Sequence, residues 1–133
     1  MNYILDTNII IALMKNIVKI KRKVQEAIFY GKEVSFNGIS YYEIKRGLLA
    51  ANATKQLGIF DELCKTFNVS LLDSQIIFDK ASEIYADLKG RGELISDADI
   101  LIGAIAITQN YILVTDDTDF QRIKGIVLEN WLR

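Results

Sequence analysis

Asp6, Glu43, Asp99 and Asp117 are the side chains best placed to do chemistry in this chain. Asp6 directly follows the apolar run Tyr3-Ile4-Leu5, and Asp116 and Asp117 follow Tyr111-Ile112-Leu113-Val114-Thr115. Glu43 comes shortly after Ser40, and Asp97 and Asp99 shortly after Ser96. Each has an ordinary explanation. Ser40-x-x-Glu43 and Ser96-x-x-Asp99 read as capping boxes. Asp6 reads as a helix cap, and Asp116-Asp117 as turn residues. Together, however, they crowd like charges at one edge, which is unfavourable without a cation. Carboxylates without histidine or cysteine form a hard oxygen site suited to one or two Mg2+ or Mn2+ ions. Such an ion lowers the pKa of bound water and clamps a phosphate in line.

Other chemistries fall away. The chain has no histidine, which removes His bases, Ser-His-Asp and Cys-His triads and the common zinc sites. No phosphate-binding Gly-x-x-x-x-Gly-Lys run is present, and Gly90-Arg91-Gly92 lacks the third glycine and the preceding strand of a dinucleotide fingerprint. The one cysteine, Cys64, reads as a small apolar helix residue and fits a cytoplasmic location. Sixteen basic and 17 acidic residues give a net charge of −1, so no basic excess advertises nucleic acid. Two divalent ions would bring that charge to about +3. The N-terminus lacks the basic region of a signal peptide, and Ile100 to Ile107 is too short an apolar run for a membrane helix.

Positioning the acids requires strands that alternate with helices. Short strands are predicted at Tyr3–Leu5, Val34–Phe36, Val69–Leu72, Tyr111–Val114 and Ile126–Leu128. Helices are predicted over Thr7–Met14, Asn16–Phe29, Ser40–Ala51, Thr54–Phe67, Ser74–Lys89 and Asp97–Thr108, with Asn37-Gly38 as a turn. The alternation implies an α/β protein with a parallel sheet covered on both faces. The length, 133 residues with no linker-like segment, implies a single domain over 1–133. Ligands of such sheets sit outside the carboxyl ends of the strands, where Asp6 and Asp117 fall.

With these residues in order, the whole chain resembles a PIN-domain ribonuclease, specifically a VapC-type toxin of a toxin–antitoxin pair. Tyr3-Ile-Leu-Asp6-Thr7-Asn8-Ile9 resembles the first family motif, in which the Asp is a metal ligand and Thr7 and Asn8 support it. Ser40-x-x-Glu43-x-x-x-Gly47 matches the second. Asp97-Ala-Asp99-Ile-Leu-Ile102-Gly-Ala104 is similar to the third, with Asp99 the ligand and Asp97 accessory. Leu113-Val-Thr115-Asp116-Asp117-Thr-Asp119-Phe120 resembles the fourth. There Asp117 takes the ligand position, and Asp116 and Asp119 stay open as alternatives because the motif is short. Asp119 is expected further along the chain, capping the turn around Phe120. Gly103 stands where the family usually has Ala.

The resemblance implies a PIN-like three-layer α/β/α sandwich with a central parallel sheet. It also implies a Mg2+- or Mn2+-dependent endoribonuclease whose one or two ions are held by Asp6, Glu43, Asp99 and Asp117, with RNA, plausibly tRNA, as substrate. A homodimer and an antitoxin whose C-terminal segment covers a groove and plugs the acidic site are further implications. Lys45 and Arg46, next to Glu43, are candidates for RNA phosphates. Lys19, Lys21, Arg22 and Lys23 read as a solvated face, and Tyr41 and Tyr42 either pack or stack a base. A mean hydropathy of +0.17 fits a protein that hides apolar surface against a partner. Two alternatives remain: a catalytically silent RNA-binding module on the same fold, and a receiver-type signalling domain using Asp73.

Overall fold

In the computed structural model, which describes residues 1–133, the chain builds five parallel strands and six α-helices. The strands are β1 (Asn2–Leu5), β2 (Val34–Asn37), β3 (Val69–Ser70), β4 (Tyr111–Val114) and β5 (Leu128–Glu129). The helices are α1 (Thr7–Met14), α2 (Val18–Phe29), α3 (Gly38–Ala50), α4 (Thr54–Thr66), α5 (Gln75–Gly90) and α6 (Asp97–Thr108). A 3-10 helix over Thr118–Arg122 follows β4.

The strand order is β3-β2-β1-β4-β5, so the sheet grows outward from β1 in both directions. The chain order reverses at β1, where β2 lies on one side and β4 on the other, and that is where such sheets bind ligands. Register places Leu5 beside Val114, so Asp6 and Thr115 leave the sheet together at the same edge.

Strand alternation divides the core between two faces. Leu5 and Val114 point into a cluster with Ile9, Phe36, Phe60 and Trp131, covered by α1 to α4. Ile4 and Leu113 point the other way, into a cluster with Ile77, Leu88, Ile102 and Phe120, covered by α5 and α6. The result is the expected three-layer α/β/α sandwich. Helix α6 is apolar nearly all round because it lies between the sheet and α5, with Ile100 and Ile102 to Ala106 buried. No helix is long and apolar enough to cross a membrane.

Several boundaries differ from the sequence reading. Helix α2 starts at Val18 rather than Asn16, because Asn16 adopts φ 57° and ends the preceding turn. Helix α3 starts at Gly38. Asn37 is its cap, so Asn37-Gly38 is no separate turn and Ser40 is not the capping residue. Strand β3 stops at Ser70, where its pairing with β2 ends at Asn37. Strand β5 falls at Leu128–Glu129 rather than Ile126–Leu128, after a left-handed Gly125. At Gly103 a Cβ would stand 2.6 Å from Ile123 Cδ1, the free end of a flexible side chain, so Ile123 packs close against α6 at this point.

Candidate active site

The site begins where β1 ends. Asp6 has extended backbone, caps α1, and is 6% exposed. Its Oδ1 accepts from Thr7 N at 2.8 Å, and its Oδ2 accepts from Thr115 Oγ1 at 2.7 Å. Thr115 gives its one proton to Asp6, and its oxygen accepts from Asp117 N at 3.0 Å. A single hydroxyl thus fixes the first and fourth acidic segments relative to each other. Asp117 Oδ1 in turn accepts from Asp119 N at 2.9 Å, capping the 3-10 helix.

A second network reaches Glu43. Asn37, fully buried, donates Nδ2 to Leu5 O and to Ser40 Oγ, both at 2.9 Å, and accepts from Ser40 N at 2.8 Å. The Ser40 and Thr7 hydroxyl oxygens are 2.8 Å apart, and Thr7 Oγ1 lies 3.0 Å from Glu43 Oε1. Glu43 as a carboxylate has no proton to give, so Thr7 donates to it and receives from Ser40. The relay Asn37, Ser40, Thr7, Glu43 satisfies every buried polar atom in its path, and no buried side-chain polar atom in the protein lacks a partner. Asn37 was missed as a site residue. Its signal is an Asn at the end of an apolar strand and at the start of a helix, a pattern that Gly38 disguises as a turn.

Asp99 enters from the first turn of α6, its backbone N donating to Ser96 Oγ at 3.2 Å. Asp99, Asp117 and Asp119 each offer a carboxylate oxygen, and these lie within 4.8 Å of one another. The short fourth motif therefore winds into a 3-10 turn that returns Asp119 to the site, contrary to its expected place further along. Burial first, then the charges of Asp6 and Asp117, push Asp99 up to about 6, against a hydrogen bond from Ser96 and with a smaller push from Asp119. Burial also raises Asp6. Hydrogen bonds from Thr115 and Thr7 oppose that rise, and the charges of Asp117 and Glu43 add to it. Burial and like charge thus make Asp6 and Asp99 resist ionising, which fits a divalent cation that would favour their charged forms.

The remaining expectations divide. Asp116 turns away, accepting from Asn130 Nδ2 at 2.7 Å and pairing with Arg133 at 3.4 Å. Asp97 and Asn8 are exposed and make no side-chain hydrogen bond in either network. Lys45 faces α4, 3.3 Å from both Tyr41 Oη and Asp61 Oδ1. Arg46 is exposed, with its guanidinium 5.0 Å from the Tyr42 ring centre. Asp73 is exposed and stands outside the acidic group. Glu43 also borders an apolar groove between α1, α3 and α4, lined by Ile11, Met14, Ile44, Leu48 and Ile59.

Residues 3–126 match the family model described as the PIN domain, and the chain belongs to the PIN-domain family. That membership displaces the receiver-domain alternative. The chain is 36% identical to Ribonuclease VapC1 of Methanocaldococcus jannaschii over 127 residues, covering 95% of this chain and 84% of the relative. It is 30% identical to Ribonuclease VapC1 of a Haemophilus influenzae strain over 135 residues, covering both chains fully. Among solved structures, VapBC-1 of nontypeable Haemophilus influenzae superposes with a TM-score of 0.88 at 30% identity, covering 100% of both chains. VapBC2 of Rickettsia felis bound to a promoter DNA fragment superposes at 0.89 with 24% identity, covering 98% of this chain and 99% of that one.

Proposed function

We propose that this chain is a divalent-metal-dependent endoribonuclease, the toxin of a VapBC-type toxin–antitoxin pair, which hydrolyses phosphodiester bonds of RNA. The observation that carries the reading is the meeting of Asp99, Asp117 and Asp119 within 4.8 Å, beside a buried Asp6. Relatives named as ribonucleases at 36% and 30% identity support it.

Asp99, Asp117 and Asp119 would hold Mg2+ or Mn2+, with Asp6 and Glu43 completing the acidic site. A bound divalent ion supplies Lewis acidity toward a phosphate oxygen and makes its water a stronger acid. The chain's own residues contribute rigidity. Both Asp6 oxygens are held by protein donors, and the Thr7 hydroxyl holds the Glu43 carboxylate. Side chains fixed in this way need no reorganisation when charge develops on the phosphate. Arg46, exposed one turn beyond Tyr42, is the better candidate for an RNA phosphate, since Lys45 is already paired with Asp61. Transfer RNA is the substrate class that the resemblance points to.

The apolar groove that ends at Glu43 is assigned to the antitoxin segment, which would place a partner beside the acids it silences. Phe78 and Tyr85, both exposed and one heptad apart on α5, offer an apolar strip for a second copy of the chain.

The test is cleavage of a defined RNA in Mg2+ by the wild type, Asp99→Asn and Asp117→Asn. The expected result is cleavage by the wild type alone. Equal cleavage by folded variants would remove the acidic site from the chemistry.

A further inference from the structure

Asp99 and the pair Asp117 and Asp119 arrive on different elements, α6 and the segment after β4. Something must hold these like charges close together. The segment before α6 and the 3-10 helix are joined by two arginines that cross. Arg91 sends Nη2 to the carbonyl of Arg122 at 2.7 Å, while its guanidinium also binds Asp87 and Glu93. Arg122 replies in the other direction, with Nη1 donating to the carbonyl of Leu94 at 3.3 Å. Its Nη2 lies 3.6 Å from Asp119 Oδ1. Leu94 is followed at once by Ile95, the Ser96 cap and the turn bearing Asp99.

From this clasp we infer that Arg122 is a positioning residue for the acidic group. Its guanidinium ties the Asp119 carboxylate to the loop that delivers Asp99, and so sets the spacing of the two oxygens. The inference rests on the proposed metal-binding role of those acids. Only a guanidinium serves both partners at once, because its planar fork presents donors in fixed directions, whereas an ammonium is a point donor. The clasp is open to solvent, with the Arg122 and Asp119 side chains each 43% exposed, so as a surface ion pair it adds little stability. Its effect falls on geometry.

A competing account makes Arg122 a plain counter-ion that occupies Asp119. The two accounts predict opposite signs. Removing a nearby positive charge from a cation site should tighten metal binding if the charge only competes. It should weaken binding if the charge aligns a ligand, because losing a partner of a metal ligand typically costs roughly 10- to 100-fold in affinity.

The experiment is calorimetric titration of the full chain with Mn2+ alone, on wild type, Arg122→Met, Arg122→Lys and Arg91→Met, with thermal unfolding in EDTA to check folding. Arg122→Met and Arg91→Met should each bind Mn2+ about tenfold more weakly than the wild type. Arg122→Lys should recover part of the loss, and unfolding midpoints should barely move. Should Arg122→Met fail to fold, Arg122→Lys and Arg91→Met carry the same comparison. Unchanged or tighter Mn2+ binding by the variants, with normal wild-type binding, overturns the inference alone. Absence of Mn2+ binding by the wild type overturns the metal reading and this inference with it.

Discussion

Asp99→Asn should stabilise the metal-free protein at neutral pH while abolishing its activity. In the folded chain the Asp99 carboxyl is pushed from 3.8 to about 6 by burial and by the charges of Asp6 and Asp117. A raised carboxyl means that the folded state holds a proton that the unfolded state has released. Stability contributed by this group is therefore present below pH ~4, declines as pH rises toward about 6, and is absent above it. At pH 7.5 the ionised Asp99 is a net cost. A shift of about two pKa units corresponds to at most ~3 kcal/mol. Asp99 is only half-buried, so screening reduces this to about 1–2 kcal/mol. Asparagine removes the charge and keeps the size, and it forfeits about 0.3–1 kcal/mol of favourable interaction with the α6 dipole. The expected net gain is about 1 kcal/mol, or ~4 °C in unfolding midpoint for a chain of this size. Thermal unfolding in EDTA at pH 7.5 and at pH 4.5 measures it, and the gain should shrink or vanish at the lower pH. A lower midpoint for Asp99→Asn at pH 7.5 would show that the acid acts as a helix-capping charge and that the cluster imposes no repulsion.

Asn37→Ala should cost about 2–3 kcal/mol in urea unfolding, because it removes the α3 cap and the buried donor to Leu5 O. Asp119→Asn should weaken Mn2+ binding in calorimetry, while Asp116→Asn, whose carboxylate faces Asn130 and Arg133, should leave it within about twofold. Gly103→Ala should keep most of its helix-propensity gain of about 1 kcal/mol and unfold at a higher temperature than the wild type, because the atom its Cβ meets is the free end of the Ile123 side chain, which can rotate aside; a lower unfolding temperature would show that Ile123 cannot give way.

The layout of the site was legible because parallel strands end in one plane. Asp6 and Asp117 follow apolar runs, and any sheet containing both runs brings them to one edge. The bonds across that edge were not legible. Thr115 reaches Asp6 across 109 positions of sequence, and only the β1–β4 register decides that the two meet. Asn37 was obscured by two local patterns, an Asn-Gly turn and a Ser-x-x-Glu capping box, that both fit better than a cap followed by Gly38. Tertiary pairing chose the cap, since only Asn37 can serve Leu5 O and Ser40 at once. The choice among Asp116, Asp117 and Asp119 stays open in the sequence because a 3-10 turn has no apolar period to announce where its side chains point. Lys45 was assigned by nearness to Glu43 in sequence, yet residues two apart on a helix face different ways. Lys45 therefore meets Asp61 on α4.

The central claim is that the acids of this PIN domain work through a divalent ion. The most direct measurement is RNA cleavage by the purified chain in EDTA, followed by addition of excess Mn2+ to the same sample. Cleavage should be absent in EDTA and return with Mn2+. Undiminished cleavage in EDTA, in buffers verified to be metal-free, would contradict the account.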